Sequence, residues 1–165
     1  MALGDILVLN DGAFGAIGSR KFAVASGTSA SIKAGTPVAK ALGNTTGNVV
    51  SAAVTNSPVV GTDFFAGIAE TTSTETASAA GTVQVTPLVP GVTYLIAPKV
   101  AATWDTQAEY DALVGARVLL DLTAGVYTIL AADGATNGCV VEPLDISKYP
   151  GKVAFSIRNG VSYLA

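Results

Sequence analysis

"RVLLDLTAGVYTIL", residues Arg117 to Leu130, sets two runs of aliphatic, β-branched and aromatic residues on either side of Thr123-Ala124-Gly125. Such side chains pack well on a pleated surface, and glycine tolerates the positive φ that a short turn needs. The stretch predicts a β-hairpin with a three-residue connection. The pattern continues toward the end of the chain. In "GKVAFSIRNGVSYLA", Val153, Phe155 and Ile157 alternate with Ala154, Ser156 and Arg158, and Asn159-Gly160 is a hairpin signal that should turn the last residues back along the strand.

Just before the hairpin the period changes. "DTQAEYDALV", Asp105 to Val114, has Thr106 and Glu109 at the spacing of a capping box, and Gly115 stands where helices end. One short helix is expected over about residues 105–114, with Ala108, Leu113 and Trp104 toward a sheet.

Upstream, strands are predicted in "DILVLN" from Asp5, "KFAVAS" from Lys21, "NVVSAAV" from Asn48, "DFFAGIA" from Asp63, "TVQVTPLV" from Thr82 and "VTYLIA" from Val92. "SIKAGTPVAKALG", from Ser31, carries Pro37 in its middle. Proline has no N–H for a ladder, so this run should be an edge strand or contain a bulge. "GIAETTSTETASAAGTVQV", Gly67 to Val85, places small hydroxylic residues between two strands and buries too little apolar surface to form core. It reads as a solvated loop or irregular edge. The fold class that follows is all-β: a small antiparallel β-barrel or sandwich with one short helix, residues 1–165 forming a single β-rich domain.

Hydrophobic residues make up 50% of the chain, yet charged residues supply only 13%, about half the share of an ordinary soluble domain. So few charges, scattered and summing to -3, argue against nucleic acid as a partner, because binding a phosphate chain requires clustered Lys and Arg. The charge-free stretches Ala41 to Thr62 and Thr76 to Pro98 are broken by Asn, Gln and Pro, so no membrane-spanning helix is expected. The start, "MALGDILVLNDG", lacks a basic region and carries Asp5, so no secretion signal is expected either.

The search for chemistry finds little. There is no histidine, which removes Ser-His-Asp and Cys-His catalysis and His-ligated zinc. Cys139, the one cysteine, sits in "NGCVVEP" as a small strand residue and cannot form an intrachain disulfide. "DGAFGAIGSRK", Asp11 to Lys21, lacks the spacing of a phosphate-binding loop and reads as a flexible turn. Asp105 and Glu109 fit the first turn of a helix better than a catalytic pair. Glu70, Glu75, Asp121, Asp133 and Glu142 are too dispersed for a calcium loop. No catalytic residue, cofactor or metal is expected. A charge-poor surface rich in Val, Ala and Thr suits either a face that meets another protein or an ordinary compact β domain, and composition leaves both open.

"IKAGTPVAKALG" followed by "FFAGIAETT" resembles the opening half of head decoration proteins of tailed bacteriophages. "TQAEYDALVGARVLLDLTAGVYTILAADGATNGCVVEPLDISKYPGKVAFSIR" is similar to phage capsid cement or head proteins. The resemblance implies a non-enzymatic virion protein on the outer capsid surface, made in the host cytoplasm. It also implies the major capsid protein as partner, often through a homo-oligomer such as a trimer. The alternative is a virion-displayed carbohydrate-binding or host-adhesion module, whose mark would be exposed aromatics for sugar stacking, and Trp104 and the tyrosines are too few and too strand-like to favour it; a hydrolase comes third. Within the cement reading, residues 1–20 are a candidate N-terminal arm. "DILVLN" is separated from the rest by "DGAFGAIG", so Asp5, Ile6, Leu7, Val8 and Leu9 are candidate capsid contacts that add a strand to a partner sheet. The competing expectation is that this strand pairs within its own barrel.

Overall fold

A computed structural model describes residues 2–3, 6–10, 18–27, 32–41, 51–52, 58–60, 63–123 and 126–159. The alternating segments assemble into two antiparallel sheets. The larger is built from β1 (Ala2–Leu3), β2 (Ile6–Asn10), β8 (Thr93–Ile96), β9 (Arg117–Thr123), β10 (Val126–Leu130), β11 (Cys139–Val141) and β12 (Val153–Ile157). Its order is β1-β2-β8-β12-β11-β9-β10. The smaller comprises β3 (Arg20–Val24), β4 (Pro37–Ala41), β5 (Ser51–Ala52), β6 (Asp63–Ala69) and β7 (Gly81–Thr86), in the order β3-β7-β6-β4-β5.

Part of the larger sheet closes on itself. Past β8 the chain makes a parallel bridge between Pro98 and Ile129 of β10. The Ile129 N–H donates to the Ala97 carbonyl at 3.0 Å, and the Lys99 N–H donates to the Ile129 carbonyl at 2.9 Å. Strands β8, β12, β11, β9 and β10 are therefore joined end to end as a small barrel through the segment that follows β8, which covers the edge that β10 would otherwise present at Ile129. Lys99 also reaches across the seam to Asp121 of β9, Nζ to Oδ1 2.9 Å.

Strand periodicity fills this barrel. Along β10, Tyr127 and Ile129 are buried while Val126 is exposed and Thr128 and Leu130 are half-buried. Val118 and Leu120 of β9, and Val153, Phe155 and Ile157 of β12, join the same core. Each fully buried Ile or Phe contributes about 1.5–3 kcal/mol of transfer free energy. The smaller sheet packs through β6. Phe65 and Ile68 enter the barrel-side core, whereas Ala66 and Ala69 belong to a second cluster with Phe22, Val24 and Val85. The two faces are reconciled by a register shift against β4. Val38 pairs with Gly67 but Ala39 pairs with Phe65, so Ala66 is an extra residue on β6. Gly67, with φ +144°, follows it; a Cβ there would lie 2.0 Å from the Thr86 carbonyl oxygen. Only glycine fits that position.

The helix α1 spans Gln107–Leu113 with the expected capping box intact: the Thr106 hydroxyl accepts from the Glu109 N–H, and the Glu109 carboxylate accepts from the Thr106 N–H. The chain leaves the helix through Gly115 at φ +86°. Two expectations need correction. The side chain that α1 buries is Tyr110; Ala108 is exposed, while Leu113 is half-buried and Trp104 buried as expected. Thr123 pairs with Val126, so the hairpin connection has two residues rather than three. Of the two alternatives expected for the Pro37 run, the bulge is found: Pro37 takes the first position of β4, which lies between β6 and the two-residue β5, and the register against β6 shifts between Val38 and Ala39. The expected Asn159-Gly160 turn, and all of "NVVSAAV" except Ser51–Ala52, lie outside the described residues.

Candidate functional site

The N-terminal strand was the sequence's candidate contact surface. Instead of lying free, β2 pairs with β8: Leu7 opposite Leu95, Val8 opposite Tyr94 and Asn10 opposite Thr93. β1 pairs along its other side, Ala2 with Leu7 and Leu3 with Ile6. Ile6 is 0% exposed and belongs to the barrel-side core. The physical reason is that β8 has an edge whose backbone donors and acceptors need partners, and β2 supplies them within the same chain. In this chain β2 is thus a sheet strand, the competing expectation for this segment. Leu9 falls at the irregularity between Val8 and Asn10, and Asp5 and the glycine-rich residues 11–17 lie outside the described residues.

The hydroxyl-rich stretch between β6 and β7 is exposed apart from Ser73 and the half-buried Glu75, and its hydroxyls are used to order it. Ser73 Oγ accepts from the Ile32 N–H at 2.8 Å while the Ser73 N–H donates to the Ile32 carbonyl at 2.8 Å. Thr74 Oγ1 accepts from the Thr82 N–H at 3.0 Å, and Thr71 Oγ1 accepts from the Gln84 N–H at 3.2 Å. The loop therefore lies along β7 with side-chain oxygens standing in for a missing strand.

The carboxylates are engaged locally. The Thr106 hydroxyl, donating to Glu109 Oε2 at 2.7 Å, holds the Glu109 carboxyl below its ordinary value; the hydrogen bond and charge of Glu109 push neighbouring Asp105 up. Asp121, 2% exposed, accepts from Lys99 and from the Thr123 hydroxyl, which together hold its carboxyl below the usual range. Asp133 accepts from the Arg117 N–H, Asp145 from Ser147, and Glu142 from the Ser156 hydroxyl. Burial alone pushes the Cys139 thiol up to about 12, so at neutral pH it is no nucleophile. Among the described residues, no three His, Cys, Asp or Glu side chains are grouped as a metal site, and no helix is long and apolar enough to cross a membrane.

The concave feature that combines aromatic, apolar and acidic groups lies beside the start of α1. A cleft of about 200 Å³ is lined by Pro98, Ala101, Trp104, Asp105, Ile146 and Pro150. The Trp104 ring packs edge-on against Tyr110, centroids 5.6 Å apart, and is only 5% exposed. It is therefore no open platform for stacking a sugar. Behind it, the Tyr110 hydroxyl accepts from the Ala154 N–H and donates to the Glu142 carbonyl, both at 2.9 Å. The sequence offered Trp104 but missed Tyr110 and the cleft, whose far wall comes from a turn some forty residues further along the chain. The one local signal was Tyr110 three residues before Leu113, a helical spacing.

The arrangement defines an all-β protein whose described polar groups hold strands and loops in place. No protein-family model, no curated protein and no solved structure matches the chain.

Proposed function

We propose that the protein is a structural virion component that binds the outer surface of an assembled bacteriophage capsid and cements contacts between capsomers. Its partner is the major capsid protein, and it acts as a homo-oligomer, a trimer being favoured. What supports the reading is the resemblance of two parts of the sequence, residues 32–43 with 64–72 and residues 106–158, to head decoration proteins. One contributes β4 and β6 of the smaller sheet; the other runs from α1 through β12 of the barrel. Supporting it is a charge-poor composition, since the cores of protein interfaces are depleted in charge. The role is binding rather than catalysis.

Cementing needs no covalent chemistry. A subunit that engages neighbouring capsomers only at their mature spacing stabilises that spacing by mass action, and many copies add avidity. The test is binding of purified protein to expanded heads and to compact procapsids of the parent phage, followed by co-sedimentation. Binding confined to expanded heads supports cementing; equal binding to both, or to neither, refutes it. Raised salt should weaken binding only modestly, because few ion pairs are available to screen.

A further inference from the structure

The chain contains two Asn-Gly pairs, Asn137–Gly138 and Asn159–Gly160. Glycine carries no side chain to hinder its own nitrogen, so in such a pair the main-chain nitrogen readily attacks the preceding carboxamide, one reason asparagine is thermolabile. Asn159 is exposed. Asn137 is only 8% exposed and is held from several sides. Its Nδ2 donates to the Arg117 carbonyl at 2.8 Å and to the Ala132 carbonyl at 2.6 Å. Its main-chain N–H donates to the Gly134 carbonyl, and its carbonyl accepts from Arg158 Nη1, both at 2.9 Å. The attacking atom is committed as well, because the Gly138 N–H donates to the Pro58 carbonyl at 2.9 Å.

We infer that Asn137–Gly138 is a fold-gated deamidation site, closed in the native chain and open whenever this corner of the barrel comes apart. In the reaction the Gly138 nitrogen attacks Asn137 Cγ and forms a C–N bond, and Nδ2 leaves as ammonia, carrying the proton that Gly138 gives up. Water then adds to one carbonyl of the cyclic imide and breaks one of its C–N bonds, leaving aspartate or isoaspartate. The overall change is a hydrolysis, so nothing is oxidised or reduced and water is the one co-reactant. The native contacts oppose the first step twice. Gly138 must release the Pro58 carbonyl before its nitrogen can lose a proton and turn to Cγ, and the carboxamide must leave the carbonyls of Arg117 and Ala132. The product cannot resume the native contacts. A carboxylate has no N–H to give and would face two carbonyl oxygens at a nearly buried position, and isoaspartate also lengthens the main chain by one carbon. The strap lost is the one that ties the start of β9 to the turn after β10. An opening long enough for the reaction therefore becomes permanent, a chemical route to irreversible unfolding. No capsid partner enters this chemistry.

Trypsin separates the two pairs. Cleavage after Arg117, Lys148 and Arg158 leaves Asn137 as the sole asparagine of residues 118–148 and Asn159 as the sole asparagine of residues 159–165. The full chain is incubated at mildly alkaline pH with and without concentrated urea, quenched with acid and digested at mildly acid pH. Each peptide is then weighed for the mass gain of amide-to-acid exchange. In urea both peptides should convert at similar rates. In the folded chain, conversion at Asn137 should be slower by at least about tenfold, because only the opened fraction reacts, and it should climb with the unfolded fraction along the urea transition. Asn137→Asp, which installs the product, should melt below the parent or fail to fold. Equal conversion of Asn137 with and without urea overturns the gating, as does an Asn137 that keeps its amide in urea while Asn159 loses its own. An Asn137→Asp chain that melts with the parent overturns the permanence.

Discussion

Tyr110→Phe removes one oxygen and leaves the ring in place, so it isolates the hydroxyl's contribution. The β11–β12 ladder runs from Cys139 opposite Ile157 to Val141 opposite Phe155. One step further, the Glu142 N–H still donates to the Ala154 carbonyl, but the reciprocal bond is interrupted: the Ala154 N–H donates to Tyr110 and Tyr110 donates to the Glu142 carbonyl. Ala154 is 0% exposed, so without the hydroxyl its N–H loses its acceptor in a dry environment. Leaving such a donor unsatisfied costs about 1–3 kcal/mol, and losing the second bond adds roughly 1 kcal/mol. We expect about 2–4 kcal/mol in urea unfolding with an unchanged m-value, and a melting point lower by roughly 5–15 °C. The pH dependence has a definite sign. Burial pushes the Tyr110 hydroxyl up to about 12, so the folded state holds its proton more tightly than the unfolded one. Its contribution is complete below about pH 10 and is lost as pH rises through 12. Tyr110→Phe should flatten that part of the alkaline limb. A loss below about 0.5 kcal/mol would mean that Ala154 and Glu142 close the ladder directly, and the bridging role would be refuted.

Gly67→Ala should cost about 3 kcal/mol or more, because the new Cβ meets the Thr86 carbonyl, whereas Gly151→Ala, at φ +68° with open space around it, should cost only about 1–2 kcal/mol; thermal melts of both check the contrast. Cys139 should resist thiol reagents at pH 8 until denaturant is added. Its thiol is held near 12 when folded, so stability should also decline as pH climbs above the ordinary thiol value, a decline that Cys139→Ala reduces. Asp121 is held below its ordinary value mainly by Lys99, so its stabilisation is present above about pH 4 and lost as pH falls through the folded value. Asp121→Asn should flatten the acid limb, and Lys99→Met, which strands the carboxylate, should cost about 1–3 kcal/mol by urea titration.

The sequence displayed what local chemistry determines. Alternation gave β6 as Asp63–Ala69 and the strands around Phe22, Tyr127 and Phe155, and the Thr106–Glu109 spacing gave the helix start. What it concealed depends on contacts between distant segments. The extra residue Ala66 changes which face of β6 meets which core, and nothing in "DFFAGIA" announces it except the glycine that follows. The barrel seam rests on Pro98, a residue that sequence rules assign to a break, meeting Ile129 through its neighbours' backbone groups. Tyr110 looked like one aromatic among helix residues because its partners, Glu142 and Ala154, lie 32 and 44 positions away. The 70–80 loop is exposed as read apart from Ser73 and Glu75, but the bonds of Thr71 and Thr74 to β7, and of the buried Ser73 to Ile32, needed the register to be known.

The first ten residues bring fold and function into direct competition. An attachment arm must be able to leave its own fold at little cost, and for β2 that cost is set by what it buries and pairs with. Ile6 has no exposed surface, and truncating a buried isoleucine to alanine costs about 2–5 kcal/mol. Removing β2 also returns one edge of β8 to water at Thr93, Tyr94 and Leu95, the strand that carries the barrel seam on to Pro98. Against a total stability of about 5–15 kcal/mol, deletion of residues 1–10 should lower the melting point sharply or leave the chain aggregated. The complementary test replaces Ile6 with Val, which keeps the strand and trims one methyl, for a loss of about 0.5–1.5 kcal/mol and no effect on shell binding. Circular dichroism melts and co-sedimentation with expanded heads read both outcomes. If the shortened chain melted at the parent temperature and lost only its grip on the shell, β2 would be an arm that rests on β8 between engagements, and its assignment to the core would be wrong.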